Sequence, residues 1–387
     1  MPVLDQMNAM QARMTDWRHD FHAHPELSLQ EMRTSRKVQD LLNSFGVDEV
    51  HYGLAGTGVV GVIRGSRPGA AIGFRADMDA LPISEATALP YSSRNAGVMH
   101  ACGHDGHMAM LLGATAYLAR TRDFSGTVYA IFQPAEEDRD GADLMLREGL
   151  FEKFPMDSIF GLHNWPSHSA GHFYWRNGPI MAAAADIDIT ITGKGAHAAH
   201  PDRGIDPILI SAHVITALHS LVSRGIDPVD GGVVSICRIE GGHSYNVIPE
   251  TVHLKGSARW FVDEVGLALR EGVERVSKQI AIAFGATAEV IFKQTCIATI
   301  NDPRSTALTR LAAEAVAGHG GVHYLDKPSM GAEDFSSMLR RKAGSYIILG
   351  GGEDAPQVPP LHNPRYDFND GILPIGAAYW ATLAEQA

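Results

Sequence analysis

Four short apolar runs restrict the fold more than any other feature: GTGVVGVI (56–63), AIGFRA (71–76), TVYAIF (127–132) and SIFGLH (158–163). Runs of this length that do not alternate with polar residues suit strands covered on both faces. Between them, HMAMLLGATAYLAR (107–120) places apolar residues at helical spacing. Strands alternating with helices predict an α/β domain with a mostly parallel central sheet and helices on both faces. In such sheets the chemistry sits in loops beyond the carboxyl ends of strands. The polar motifs of this chain do follow strand-like runs.

The middle of the chain has another rhythm. Asp186 to Thr192 (DIDITIT) alternates strictly, as a half-buried strand does. A helix is predicted near 206–223, strands near 233–239 and 251–260, a second helix near 264–284 and a strand near 287–293. That β-α-β-β-α-β order is ferredoxin-like. α/β character then returns, with a helix near 304–317, a strand at 345–349 and a last helix near 372–385. A chain of 387 residues exceeds one typical core. Two domains are therefore expected: a discontinuous catalytic α/β domain of residues 1–183 and 296–387, and an inserted α+β lid or dimerisation domain of residues 184–295.

The formal net charge of −12 argues against nucleic acid and anionic membrane as partners. It also means that an anionic small-molecule substrate needs a locally placed cation. Three cysteines, Cys102, Cys237 and Cys296, are too few and odd in number for a disulfide framework. The N-terminus has neither the basic start nor the apolar stretch of a signal peptide, and the longest apolar runs break before membrane-spanning length. A cytoplasmic protein is expected.

Among 19 histidines, each candidate ligand needs its own argument. In HACGHDGH (100–107), Cys102 and His104 lie two apart, so an extended segment projects both to one side. Thiolate and imidazole are both good ligands for zinc-like ions. The competing interpretation is a buried thiol beside ordinary histidines, with Asp105 as the N-cap of the next helix. QPAEED (133–138) ends an apolar strand with Glu136 and Glu137, either a solvated loop pair or a divided pair in which one carboxylate binds metal and the other works as general base. GLHNWP (161–166) puts His163 at another strand end, and LHNPRYDFND (361–370) puts His362 in a loop before the last helix. A lone strand-end histidine is more often structural than a ligand. Here, however, five candidates coincide where an α/β sheet places its active site. His22 and His24 form a second pair two residues apart, among amphipathic helix residues and before Pro25, and are read as structural. Asp79 in RADMDALP either orients a ligand histidine or caps a turn, and His107 is a further supporting candidate.

Through these motifs the chain resembles the aminoacylase and carboxypeptidase type of co-catalytic metallopeptidases. The branch is that of hippurate hydrolases, bacterial N-acyl-amino-acid amidohydrolases and plant indole-acetyl-amino-acid hydrolases. The likeness runs from HAHPELS through FRADMDALP, HACGHDGHMAMLLG, QPAEE, GLHNWP, GKGAHAAHPD, YNVIPE and MGAEDFS to LHNPRYDFND. It implies two divalent metal ions per subunit, manganese or zinc, with cobalt or nickel as alternatives. Cys102 would bridge them, His104 and Glu137 would belong with one ion, and His163 and His362 with the other. Glu136 would be the general acid/base. His197 would reach the neighbouring subunit's site in a homodimer or larger homo-oligomer, Asn246 and Arg259 would bind the substrate carboxylate, and Gly331 to Phe335 (GAEDF) would form a loop lining the pocket. Departures from the pattern fall at Asp138-Arg139-Asp140, Asn164, Asp202 and Gly371. They bear on the substrate and leave the ligands and the base in place.

The implied reaction is hydrolysis of the amide bond of an N-acetyl, N-benzoyl or indole-acetyl amino acid, by metal-activated water and a glutamate base. A dipeptidase or carboxypeptidase of the same superfamily is the alternative. A metal- or ligand-binding protein without catalysis is more remote, because the base is present. A serine hydrolase lacks support, because no G-x-S-x-G elbow occurs.

Overall fold

Apart from Gly56 and Thr57, the apolar runs of the first half lie in strands, and residues at their ends extend the ladders: Gly58–Arg64, Arg67–Asp77, Ser125–Gln133 and Ser158–Ser169. A computed structural model describes residues 2–138, 140–352 and 358–387. Arg139 therefore lies outside the described residues.

The chain divides into two units, the first comprising Met1–Ile180, Thr299–Pro328 and Glu333–Ala387. Its sheet has eight strands. From edge to edge they are Glu49–Leu54, Gly58–Arg64, Ser125–Gln133, Arg67–Asp77, Ser158–Ser169, Ala343–Gly352, Phe173–Trp175 and Val322–Tyr324. The four central strands, from Ser125–Gln133 to Ala343–Gly352, are mutually parallel. Antiparallel pairs join the first two strands to this block, and another joins Ala343–Gly352 to Phe173–Trp175. A mostly parallel centre with antiparallel flanks matches the predicted α/β class.

The helix His104–Thr121 is buried almost all round and packs against Gln11–Ala23 and Leu373–Gln386. Its Met108, Met110, Leu111 and Leu112 are fully buried, each contributing roughly 1.5–3 kcal/mol from burial. Trp380 of the last helix meets Phe74 of the central sheet, ring centroids 4.8 Å apart. Such packing holds the helix start and the strand ends in fixed register.

The second unit is Met181–Ala298 with Ser329–Ala332. Its four strands run Gly232–Glu240, Thr251–Trp260, Ala183–Thr192, Thr287–Cys296 across the sheet, all antiparallel. With the helices Pro207–Gly225 and Asp263–Ala283 this is the ferredoxin-like arrangement expected from the element order. The alternation read in DIDITIT is real: Ile187, Ile189 and Ile191 are buried, against Ile210, Val214 and Leu218 of the first helix. By length and composition alone the helix Pro207–Gly225 is apolar enough to cross a membrane. Its buried stripe faces the core of this unit instead.

Candidate metal centre

The first unit gathers its chemistry at the carboxyl ends of the parallel strands. Arg67–Asp77 leads into Asp77 and Asp79, Ser125–Gln133 into Glu136 and Glu137, and Ser158–Ser169 carries His163. The segment before the helix His104–Thr121 supplies Cys102. Here the competing interpretation of Asp105 fails. Asp105 is not the N-cap, which is Gly103 in the left-handed region at φ 93°. A Cβ at Gly103 would lie 2.3 Å from Asn164 Oδ1, so glycine is required by backbone shape and by space. Asp105 lies within the first turn and is buried against His22 at 2.8 Å.

The predicted ligands converge. Donor atoms of Cys102, His104 and His163 all lie within 4.8 Å of one another, and so do those of Cys102, Glu137 and His362, and those of His104, Glu136 and Glu137. Cys102 thus belongs to two groups. Its Sγ is 3.4 Å from His163 Nε2, and His362 Nε2 is 3.4 Å from Glu137 Oε1. His104 shares one group with Cys102 and His163 and another with Glu136 and Glu137, its Nε2 lying 3.9 Å from Glu137 Oε1. His362 itself sits in the left-handed region at φ 64°, its N–H donating to Ala101 O at 2.8 Å. A non-glycine residue held there signals a constraint imposed by its surroundings.

Supporting bonds leave the right atoms free. His104 Nδ1 is 2.8 Å from the Asp79 carbonyl oxygen. The Asp79 carboxylate accepts from the N–H of Glu136 and of Glu137, each at 3.0 Å. Among the described residues, buried His104 Nε2 and Glu137 Oε1 have no hydrogen-bond partner. Buried polar atoms are normally satisfied, so two orphans facing a thiol and two further imidazoles fit a metal site. The donor set of sulfur, nitrogen and carboxylate oxygen fits borderline divalent ions. His107 is not so placed. Its Nδ1 is 2.6 Å from Asp77 Oδ1 and its Nε2 is 2.7 Å from Asn164 Oδ1, so it supports rather than offers a free nitrogen.

Charge is concentrated below this cluster. Arg75 is buried and pairs with Asp77 at 2.6 Å, Asp334 at 2.8 Å and Glu333 at 2.9 Å. Tyr346 donates to Glu333. Burial, followed by the carboxylates of Glu333, Glu137 and Asp334, pushes the Glu136 carboxyl well above its usual range. Burial and the same two glutamates of the turn push the Cys102 thiol up. His104 moves to about 10, because Asp77, Asp79 and Glu137 together overcome burial, which acts the other way. Burial and His107 depress His163.

The remaining candidates belong to the second unit. His197 is exposed on a two-residue strand, paired with Val247, and its Nδ1 accepts from the N–H of Ala199 at 3.0 Å. Asn246 is its close neighbour, its carbonyl accepting from the N–H of Ala198 at 2.9 Å. Arg259, on Thr251–Trp260, donates to Ser257 Oγ at 2.5 Å. Gly331 donates its N–H to Ser329 Oγ at 3.0 Å.

Several contributors escaped the sequence reading. Glu333 and Asp334 lie in the Gly331–Phe335 stretch that the resemblance marks as a pocket loop, but their buried ionic network with Arg75 was not foreseen, although an arginine inside the apolar run AIGFRA demands carboxylate partners. Asn164 ties the sheet to Tyr366 of the His362 loop, its Nδ2 donating at 2.6 Å. Arg18 of the N-terminal helix grips the same segment through Asp367 at 3.1 Å and Asp370 at 2.8 Å.

Comparison with known proteins bears on this geometry. Residues 73–386 match the model of peptidase family M20/M25/M40. The chain is 38% identical over 384 residues to hippurate hydrolase of Campylobacter jejuni, covering 99% of each. It is 37% identical over 394 residues to thermostable carboxypeptidase 1 of Saccharolobus solfataricus, covering 99% of this chain and 98% of that one. A solved Bacillus subtilis structure, described as a dinuclear metal binding peptidase from the M20 family, superposes with a TM-score of 0.83 at 34% identity, covering 97% of this chain and 98% of that one. Family match, relatives along the whole length and a shared fold agree, and the chain belongs to peptidase family M20/M25/M40, as a hydrolase.

Proposed function

We propose that this protein is a metal-dependent amidohydrolase that cleaves N-acyl amino acids to a carboxylic acid and a free amino acid. The observation that carries the proposal is the convergence of Cys102, His104, Glu137, His163 and His362 around two buried atoms without partners, beside a second, raised carboxyl at Glu136. The hippurate hydrolase relative acts, by its name, on an N-acyl amino acid.

Cys102 would hold two divalent ions jointly, with His104, Glu137, His163 and His362 completing the set. Manganese or zinc suits it, and cobalt or nickel is compatible. Bound there, the ions would supply Lewis-acid polarisation of the scissile carbonyl and a more acidic water. The work of the chain is proton transfer and orientation. Glu136 takes a proton from the attacking water and returns it to the leaving nitrogen. Asp79 holds the Glu136–Glu137 turn by two backbone amides and His104 by its carbonyl, so base and ligand keep a fixed separation. Asn246 and Arg259 receive the substrate carboxylate, Arg259 through a bidentate pair, and Gly331 lies in the loop that lines the pocket. His197 donates to the developing oxyanion across a homodimer built on the second unit. The enzyme is cytoplasmic.

A carboxypeptidase activity is the second reading, favoured by the Saccharolobus relative. Chelated protein should be inactive and regain activity with Mn²⁺ or Zn²⁺, and N-acetyl, N-benzoyl or N-indoleacetyl amino acids should be hydrolysed in preference to unblocked dipeptides. The opposite preference would establish the second reading, and full turnover by metal-free protein would sink both. Mixing inactive H197A with inactive E136Q subunits should restore part of the activity. No recovery despite proven subunit exchange would remove His197 from a shared site.

A further inference from the structure

The turn that carries Glu136 and Glu137 has an unusual backbone. Ala135, just before them, is fully buried and left-handed at φ 57°, a region that costs any residue with a Cβ. Something must hold it. The N–H groups of Ala135, Glu136 and Glu137 point at two buried carboxylates. Asp79 takes the last two, and Ala135 donates to Glu31 Oε1 at 3.0 Å. Glu31 comes from the segment that opens the helix Met32–Phe45, far from the strand ends in sequence.

The Glu31 side chain is itself immobilised. It is fully buried, Oε1 also accepts from the N–H of Leu29 at 3.0 Å, and Oε2 accepts from Thr57 Oγ1 at 2.7 Å. Leu29 is a second left-handed non-glycine, at φ 63°. Two residues before it, Leu27 bridges Ala80 in parallel, and Ser28 Oγ donates to Asp79 Oδ2 at 2.8 Å. One loop therefore steadies both carboxylates under the turn. If Ala135 relaxed to an ordinary φ, the next two side chains would swing away from the cluster, because a backbone rotation at one residue reorients all that follow.

We propose that Glu31 is a positioning residue whose carboxylate locks Ala135 in its left-handed conformation and so aims Glu136 and Glu137. This rests on the reading of those two residues as base and metal ligand. The role depends on reach and accepting lone pairs, not on charge, and two substitutions separate these. Glu31→Gln keeps the length, its carbonyl oxygen can accept from Leu29 and Ala135, and its amide can donate to Thr57 Oγ1. Glu31→Asp keeps the charge but is one methylene short of Ala135.

The test is steady-state kinetics on N-acyl amino acids together with calorimetric titration of Mn²⁺ into metal-free protein. Glu31→Gln should stay close to wild type in both. Glu31→Asp should lose about 10- to 100-fold in kcat or in metal affinity, the range for partners that orient ligands, with KM little changed. The reverse order, a damaged Gln variant and a normal Asp variant, would mean that charge matters and would overturn the proposal. So would normal behaviour of both. If Glu31→Asp fails to fold, Thr57→Val frees Oε2 alone and should lower kcat in the same sense by less, and unchanged kcat there would count against the proposal. Wild-type protein that binds Mn²⁺ but hydrolyses no amide would refute the proposed function only, since the Mn²⁺ affinities of the two Glu31 variants still decide the positioning role.

Discussion

The N-terminal pair His22 and His24 and the pair Cys102 and His104 have the same spacing and opposite fates. His22 is as buried as His104, and both lie beside carboxylates. The difference is in what their nitrogens have left to offer. His22 is saturated, with Nδ1 2.8 Å from Asp105 and Nε2 3.4 Å from Glu85. His104 is bonded at Nδ1, while its Nε2 has no partner among the described residues and faces Cys102, His163 and Glu137. Two-residue spacing makes a ligand pair available, but the surrounding acceptors decide whether any lone pair remains for an ion.

The largest expected effect tests that contrast head on. His104→Ala should lose bound metal and fall to the background rate of chelated protein, whereas His22→Ala should keep its metal and turn over at a rate near wild type. Metal content by elemental analysis and turnover on one substrate check it. Metal loss in the His22 variant would break the comparison.

A smaller effect separates the two adjacent glutamates by the same criterion of a free atom. Glu136→Gln should retain metal and lose ~10²–10⁴-fold in kcat, the usual contribution of a general base. Glu137→Gln should weaken metal binding first, since its orphaned Oε1 lies toward His104 and His362. Equal metal content in the two variants would show that the roles are wrongly divided.

The smallest effect concerns the saturated histidine. Burial alone would lower the His22 pKa, but its hydrogen bonds to Asp105 and Glu85 raise it from 6.5 to about 9. A group raised in the folded state stabilises fully below its unfolded value, and the gain disappears as pH rises through the folded value. His22 should therefore contribute on the order of 3 kcal/mol near pH 6, vanishing above about pH 9. Urea unfolding of wild type and His22→Gln at several pH values should show a gap that closes over that window. A gap independent of pH would mean that His22 contributes packing alone.

The legible parts of this molecule were those whose physics is local. A buried strand announces itself as an apolar run, so the central strands and the helix after His104 could be read directly, and the alternation at 186–192 marked the second unit. Polar residues at strand ends were legible as candidates because a parallel sheet collects them at one edge. What stayed hidden depends on partners distant in sequence. The sequence of Glu333 and Asp334 does not say that Arg75 waits beneath them. Asn164 looked like an anomaly beside His163 and proves to be a tie to Tyr366. Asp105 invited a capping role by its place before an apolar helix, yet the left-handed Gly103 already turns the chain there, which frees Asp105 to hold His22 and Arg18.

The grip of Arg18 on Asp370 joins residues 352 apart in sequence. At ribosomal speeds that interval lasts on the order of half a minute. For that time a nascent chain holds an arginine destined for full burial while its two nearest partners, Asp367 and Asp370, are still untranslated. The loop bearing His362 arrives in the same late stretch. Four of the five converging donors are made well before the fifth, and a chain that ends before residue 362 lacks one donor of the cluster.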